Sequence, residues 1–162
     1  STGAVSDDAT FSAGNQRVFG GGLSYAFGPA VAGVVITQTK LSAATGIGAY
    51  ASGTSKGLAL TGGSARFTNY EANGRYNLTP ALALIGSYTF TDARVSGVSP
   101  KYNQLNLRAD YSLSKRTDVY LEGVYQHVSG AGNSGITADI TGLSASSSNS
   151  QVAATIGLKT RF

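Results

Sequence analysis

Four charged side chains on two neighbouring stretches are the first candidates for chemistry. Arg108 and Asp110 lie in Lys101–Leu113, and Asp118 and Glu122 in Thr117–Val128. Ser114-Lys115-Arg116 between them reads as a short turn. A hairpin turning at Lys115 sets residues equidistant from it opposite one another, which pairs Arg108 with Glu122 and Asp110 with Tyr120. Directly opposed groups of opposite charge stabilise an antiparallel pair by roughly 0.2–1 kcal/mol. Such a pair orders a polar wall, and its field orients charged solutes beside it.

Catalysis suits these residues poorly. Asp118 and Glu122 sit two pleat repeats apart, roughly 13 Å at ~3.3 Å per residue, too far for a retaining carboxylate pair. The only histidine, His127, falls near the end of its stretch and reads as a rim residue rather than a base. The chain has no cysteine, so there is no disulfide framework or thiolate, and no His/Cys cluster for zinc. Gly20-Gly21-Gly22 sits inside a strand pattern, where glycine allows bending or close packing rather than phosphate binding. Serines are plentiful in the loops, but no partner base is in view. Neither an enzyme nor a cofactor is expected.

The elements that must position these residues are strands. Period-2 alternation puts alternate side chains on opposite faces. In the terminal stretch Gln151–Phe162, Val152, Ala154, Ile156, Leu158, Thr160 and Phe162 share one face, and Lys159 and Arg161 lie on the other. Lys101–Leu113 alternates Leu105, Leu107, Ala109 and Tyr111 with Gln104, Asn106, Arg108 and Asp110. Ser64–Leu78 sets Tyr70, Ala72, Gly74 and Tyr76 against Asn69, Glu71, Asn73 and Arg75. Arg17–Phe27, Ala30–Lys40, Ala81–Asp92 and Thr117–Val128 complete a count of seven. Ser1–Gln16, Ser42–Gly63, Ala93–Pro100 and Ser129–Ser150 read as loops, the second and fourth of them long.

Three features favour a membrane barrel over a soluble sandwich. The strands run to about 11–15 residues, against ~5–6 in globular proteins; tilted strands of ~9–11 residues are what a bilayer requires. Short turns at 28–29, 79–80 and 114–116 alternate with longer connections, as in outer-membrane barrels. Charges on the apolar faces occur only near the loop ends, as Arg66, Asp92 and Lys101. A charge on a lipid face at mid-bilayer costs ~2–4 kcal/mol. Tyr25, Phe27, Tyr76, Tyr111 and Phe162 lie near the turn end, and Tyr88, Phe90 and Tyr125 nearer the loop end, as two aromatic girdles would.

Charged residues make up only 12% of the 162-residue chain and the net charge is +4. No basic run points to nucleic acid. No apolar run is long enough for a transmembrane helix. No cationic, apolar leader opens the chain, so a removed leader or a fragment is expected.

The blocks RVFGGGLSYAFGPA (17–30), YEANGRYNLTPALALIGSYTF (70–90), YNQLNLRADYSLSKRTDVYLEGVYQHVSG (102–130) and the final IGLKTRF resemble the C-terminal part of a trimeric general porin of Gram-negative bacteria, of the betaproteobacterial type. The resemblance implies an all-β, antiparallel up-and-down transmembrane β-barrel in the outer membrane. Residues 1–162 would form one part of it, about seven of sixteen strands, and the family's acidic constriction loop would belong to the other part. It implies passive diffusion of small hydrophilic solutes and ions, contact with outer-membrane lipid and a homotrimer when full length. The pore-lining residues would be Asn69, Glu71, Asn73, Arg75, Gln104, Asn106, Arg108, Asp110, Asp118, Tyr120, Glu122, Lys159 and Arg161. The inward charges balance, so they set no preference for anions or cations. Phe162 would be the assembly signal read by the outer-membrane insertion machinery. Two other readings stand beside this one: a small eight-stranded structural or adhesive barrel without an open pore, closed by a strand in Ser1–Gln16, and a soluble β-sandwich recognition domain.

Overall fold

A computed structural model of the chain describes residues 9–51, 54–58, 63–95, 99–130, 137–140, 143–144 and 146–161. Phe162 lies outside the described residues. Eight strands form one antiparallel sheet: β1 (Ala9–Phe27), β2 (Ala30–Ala51), β3 (Thr54–Leu58), β4 (Gly63–Asn77), β5 (Leu82–Val95), β6 (Lys101–Ser112), β7 (Thr117–Ser129) and β8 (Ser150–Thr160). Seven of them pair in the order β1-β2-β4-β5-β6-β7-β8, an up-and-down meander, and β3 folds back on the far end of β2.

The described parts of two expected loops, 1–16 and 42–63, are mostly strand instead, and Ser1–Asp8 lies outside the described residues. Ala9–Gln16 extends β1 rather than adding a separate strand, and Ala44–Ala51 extends β2 opposite it. Thr54–Leu58, inside the expected loop 42–63, pairs with Ile47–Ala51. These segments are built mainly from Ala, Gly, Ser and Thr. They carry little polarity contrast, so alternation gives no signal although the backbone pairs. At about 3.4 Å per residue, β1 and β2 are far longer than a bilayer crossing needs.

The turns are held by side-chain hydroxyls and a permissive backbone. Gly28 adopts φ 55°, which suits glycine. The Leu82 amide donates to Thr79 Oγ1 at 2.9 Å, and the Thr117 amide to Ser114 Oγ at 3.1 Å. Both are hydroxyl-capped turns. Within β1, a Cβ added at Gly20 would come within 2.6 Å of the Ile36 carbonyl oxygen, and one at Gly22 within 2.8 Å of that of Val34. Close strand approach accounts for both glycines.

Registers carry the expected facing across the whole sheet. One row reads Leu23, Val34, Ala72, Tyr88, Leu105, Tyr125, Val152. The next row toward the short turns reads Tyr25, Ala32, Gly74, Gly86, Leu107, Gly123, Ala154, and the one after it Phe27, Ala30, Tyr76, Leu84, Ala109, Leu121, Ile156. No charge enters these rows. Tyr70 and Phe90 pair one row above them, ring centroids 6.3 Å apart.

Coverage is the reverse of that in a soluble sheet. The apolar side chains are the exposed ones, Leu23 at 80% and Val152 and Ile156 at 74%, whereas the polar-face Thr91 and Gln126 are 1% and 2% exposed. A contiguous apolar surface of this extent marks an interaction surface, and an apolar solvent satisfies it. Leu107→Arg, in the middle of the apolar rows, should therefore cost about 2–4 kcal/mol for protein refolded in lipid vesicles. Asn106→Arg, one residue away on the opposite face, should cost only about 1 kcal/mol, for the side-chain hydrogen bonds it gives up. Urea unfolding from vesicles measures both.

Candidate functional site: the polar face of the sheet

The polar face gathers every residue expected on it. The row nearest the short turns holds Asp118, opposite Ser112 on one side and Lys159 on the other. Asp118 accepts from Ser112 Oγ at 2.7 Å and pairs with Arg161 Nη2 at 2.8 Å. Asp110 and Tyr120 sit opposite each other in the next row, and Arg75, Arg108 and Glu122 occupy the row beyond. The expected pairing of Arg108 with Glu122 is present, Nη1 to Oε2 at 3.5 Å.

Arg108 does more than the hairpin register implied. Its Nε contacts Asp110 Oδ1 at 2.7 Å, and its guanidinium lies 4.3 Å from the centroid of the Tyr120 ring. Planar Arg stacks on an aromatic face while its edge bonds carboxylates. The Tyr120 ring can lie flat because its cross-strand neighbour is Gly157; a Cβ there would run into the ring. These ion pairs are about one-third exposed, so each contributes little to stability. Their effect is to hold fixed charges in known places.

Further toward the loops the face carries amides and hydroxyls in continuous hydrogen-bonded chains. Asn73 donates to Glu71 Oε1 at 3.0 Å, while Arg75 Nε bonds back toward the short turns, to Asn77 Oδ1 at 3.1 Å. Thr91 donates to Asn69 Oδ1, and Asn69 to Thr37 Oγ1. A second chain runs through three strands: Asn106 donates to Ser87 Oγ, Gln104 to Asn106 Oδ1, and Gln126 to Gln104 Oε1.

Sequence reasoning missed where that chain ends. Gln126 Oε1 accepts from the Asp139 amide at 2.6 Å, and Gln151 Oε1 from the Ile140 amide at 2.7 Å. Gln126 and Gln151 are register partners on the polar face. They pin part of the β7–β8 connection against the inner side of the wall. Ala138 packs there on Val128 and Tyr102, with both Ala138 and Val128 fully buried. Ser146 donates its amide to the Ala138 carbonyl at 2.8 Å, closing the segment on itself. Two glutamines at the loop end of the polar parity were the only sequence signal. His127 lies on the opposite, outward parity, bonded through Nδ1 to Ser150 Oγ at 2.8 Å, as a rim residue would.

A meander of long antiparallel strands, apolar outside and hydrogen-bonded polar inside, defines the wall of an outer-membrane-type β-barrel. The family model for Gram-negative porins matches residues 1–133, and the chain belongs to that family. It is an outer-membrane porin whose strands cross the membrane. A search of curated proteins found no match.

Gln126→Ala should release the Asp139 amide while leaving the strands intact. Losing one such bond, about 1 kcal/mol, predicts about fivefold faster hydrogen exchange at Asp139. Amides in mid-β6 should not change, and exchange measured by NMR in micelles separates the two sites.

Proposed function

We propose that the polar face lines a water-filled channel through which small hydrophilic solutes and ions diffuse passively. The carrying observation is that fixed charges and amides occupy the better covered face while the apolar face is bare. A side-chain-filled interior would favour small apolar groups there instead. Water in the lumen would solvate Arg75, Arg108, Asp110, Asp118 and Glu122 on this face, and membership of the porin family accords with a channel rather than a catalyst.

The pairing order supports a wide barrel. β1 and β8 stand at opposite ends of it, and among the described residues they do not pair. An open sheet edge in lipid leaves backbone groups unbonded, at several kcal/mol each, so spanning sheets close. Further strands, carried outside these residues, would close this one. The resemblance to sixteen-stranded trimeric porins supplies the number and the assembly. An eight-stranded ring would have an interior just wide enough for side chains, with no room for the pinned 137–140 segment.

The charged cluster sets the channel's field. Two carboxylates meet one guanidinium at Asp110, Glu122 and Arg108, with Arg75 in the same row. The test is conductance of the folded porin in a planar bilayer. Stepwise ohmic conductance is expected. The double variant Asp110→Asn, Glu122→Gln should shift the reversal potential toward anion preference in a salt gradient. A tight seal from verified folded protein would contradict the reading.

A further inference from the structure

Glycine at position 157 shapes the polar face beyond its own strand. The inward positions nearest Tyr120 are Asp118 and Glu122 on β7, Asp110 on β6 and Gly157 on β8. Three of the four carry carboxylates, and only the fourth leaves room. A Cβ at Gly157 would run into Cε1, Cζ and the hydroxyl oxygen of Tyr120. The backbone there has no positive φ, so it suits any residue. Glycine inside a strand weakens it, and the ring is what calls for one here. Gly123, on the outward face of β7, is the contrast: an added Cβ meets nothing within 4 Å.

The seat turns the ring toward a cation. An aromatic face is electron-rich and its edge electron-poor. The Arg108 guanidinium stands 4.3 Å from the centroid of the Tyr120 ring, and it meets Asp110 at 2.7 Å and Glu122 at 3.5 Å. Ion pairs this exposed hold a long, flexible side chain only loosely. Planar guanidinium stacks on an aromatic face while its edge bonds carboxylates. Three points of contact fix a planar group that two leave free to hinge.

The distance of a charge from the channel axis decides how strongly a passing ion feels it. Coulomb energy falls with distance, and physiological salt screens it over ~8 Å. A guanidinium drawn to the wall beside two carboxylates is largely cancelled at the axis. One released into the lumen is not, while the carboxylates on their shorter stems stay at the wall.

We propose, resting on the channel reading above, that Gly157 and Tyr120 are positioning residues for the channel's charge. Gly157 leaves the space, Tyr120 fills it with an aromatic platform, and the platform keeps Arg108 at the wall between Asp110 and Glu122. Neither positioning residue is charged, yet ion preference at this height depends on both.

Two readouts on the folded porin test this. In planar bilayers under a salt gradient, Gly157→Ala should move the reversal potential toward anion preference, because the displaced ring releases the guanidinium toward the axis. Added to Arg108→Gln, the same substitution should move it no further. Reversal potential does not depend on how much protein folds, so a loss of stability alone leaves it in place. In micelles, NMR should show a ring-current shift on the Arg108 side-chain protons. Gly157→Ala and Tyr120→Leu should lose that shift, and Tyr120→Phe should keep it. Gly123→Ala should change neither readout. An unchanged Arg108 spectrum in Gly157→Ala would overturn the proposal whether or not the porin conducts. So would an unchanged reversal potential in a conducting Gly157→Ala channel, or an equal shift in the Arg108→Gln background. No conductance from folded wild-type protein would overturn the channel reading instead, and the NMR shifts would still decide whether Gly157 seats the ring that holds Arg108.

Discussion

Every strand of this sheet must find its hydrogen bonds in another strand, because the solvent on one side offers none. Burying an unpaired peptide group in hydrocarbon costs several kcal/mol. That constraint explains the continuous pairing from β1 through β8, whose registers shift only at the loop end, at Ser12/Ala13 and Leu41/Ala44, and the short turns at the other end. It also frees the outward side chains from any duty except apolarity. The rows through Leu107 and Leu121 need no shape complementarity, only an absence of charge, and alternation of large and small residues there is tolerated. Specific packing and polar pairing move to the opposite face, where side chains bond one another across the strands.

The inner face has two zones that follow from residue type. Near the short turns, long charged side chains lock one another: Arg161 holds Asp118, while Arg108 spans Asp110, Glu122 and the Tyr120 ring. Toward the loops, amides and hydroxyls prevail, with Glu71 as the one carboxylate on the strands there, and pass hydrogen bonds from strand to strand, ending on backbone amides at 139 and 140. In the proposed channel, such a wall of fixed dipoles and paired charges would face a passing solute. Two glutamines, Gln126 and Gln151, hold the pinned segment against this face.

Much of this was legible in the sequence because contrast was high where the bilayer demands it. In Lys101–Leu113 and Thr117–Val128 polar and apolar residues alternate almost without fault, and the turn at Lys115 then fixes the register that puts Arg108 opposite Glu122. The same logic failed at Ala9–Gln16 and Ala44–Leu58. There the chain is built mainly from Ala, Gly, Ser and Thr, whose small side chains differ little in polarity, so the strands leave no periodic trace although the backbone pairs. The Tyr120–Gly157 contact and the anchoring by Gln126 and Gln151 depend on the β7–β8 register. A long connection separates those strands, and turn chemistry cannot set it. Arg66 and Lys101 were placed at a loop end, but the alignment of Arg66 with Arg17, Lys40 and Arg94 across four strands of the outward face needed three registers at once.

The central claim is that one face of this sheet meets lipid and the other water. The chain has no cysteine, so single cysteines can be introduced along β6 from Gln104 to Asp110 and spin-labelled in vesicles. Accessibility to dissolved oxygen and to a water-soluble nickel chelate should alternate in antiphase. Positions 105, 107 and 109 should favour oxygen, and positions 104, 106, 108 and 110 the chelate. Loss of the two-residue period, or the same period with its phase inverted, would contradict the account.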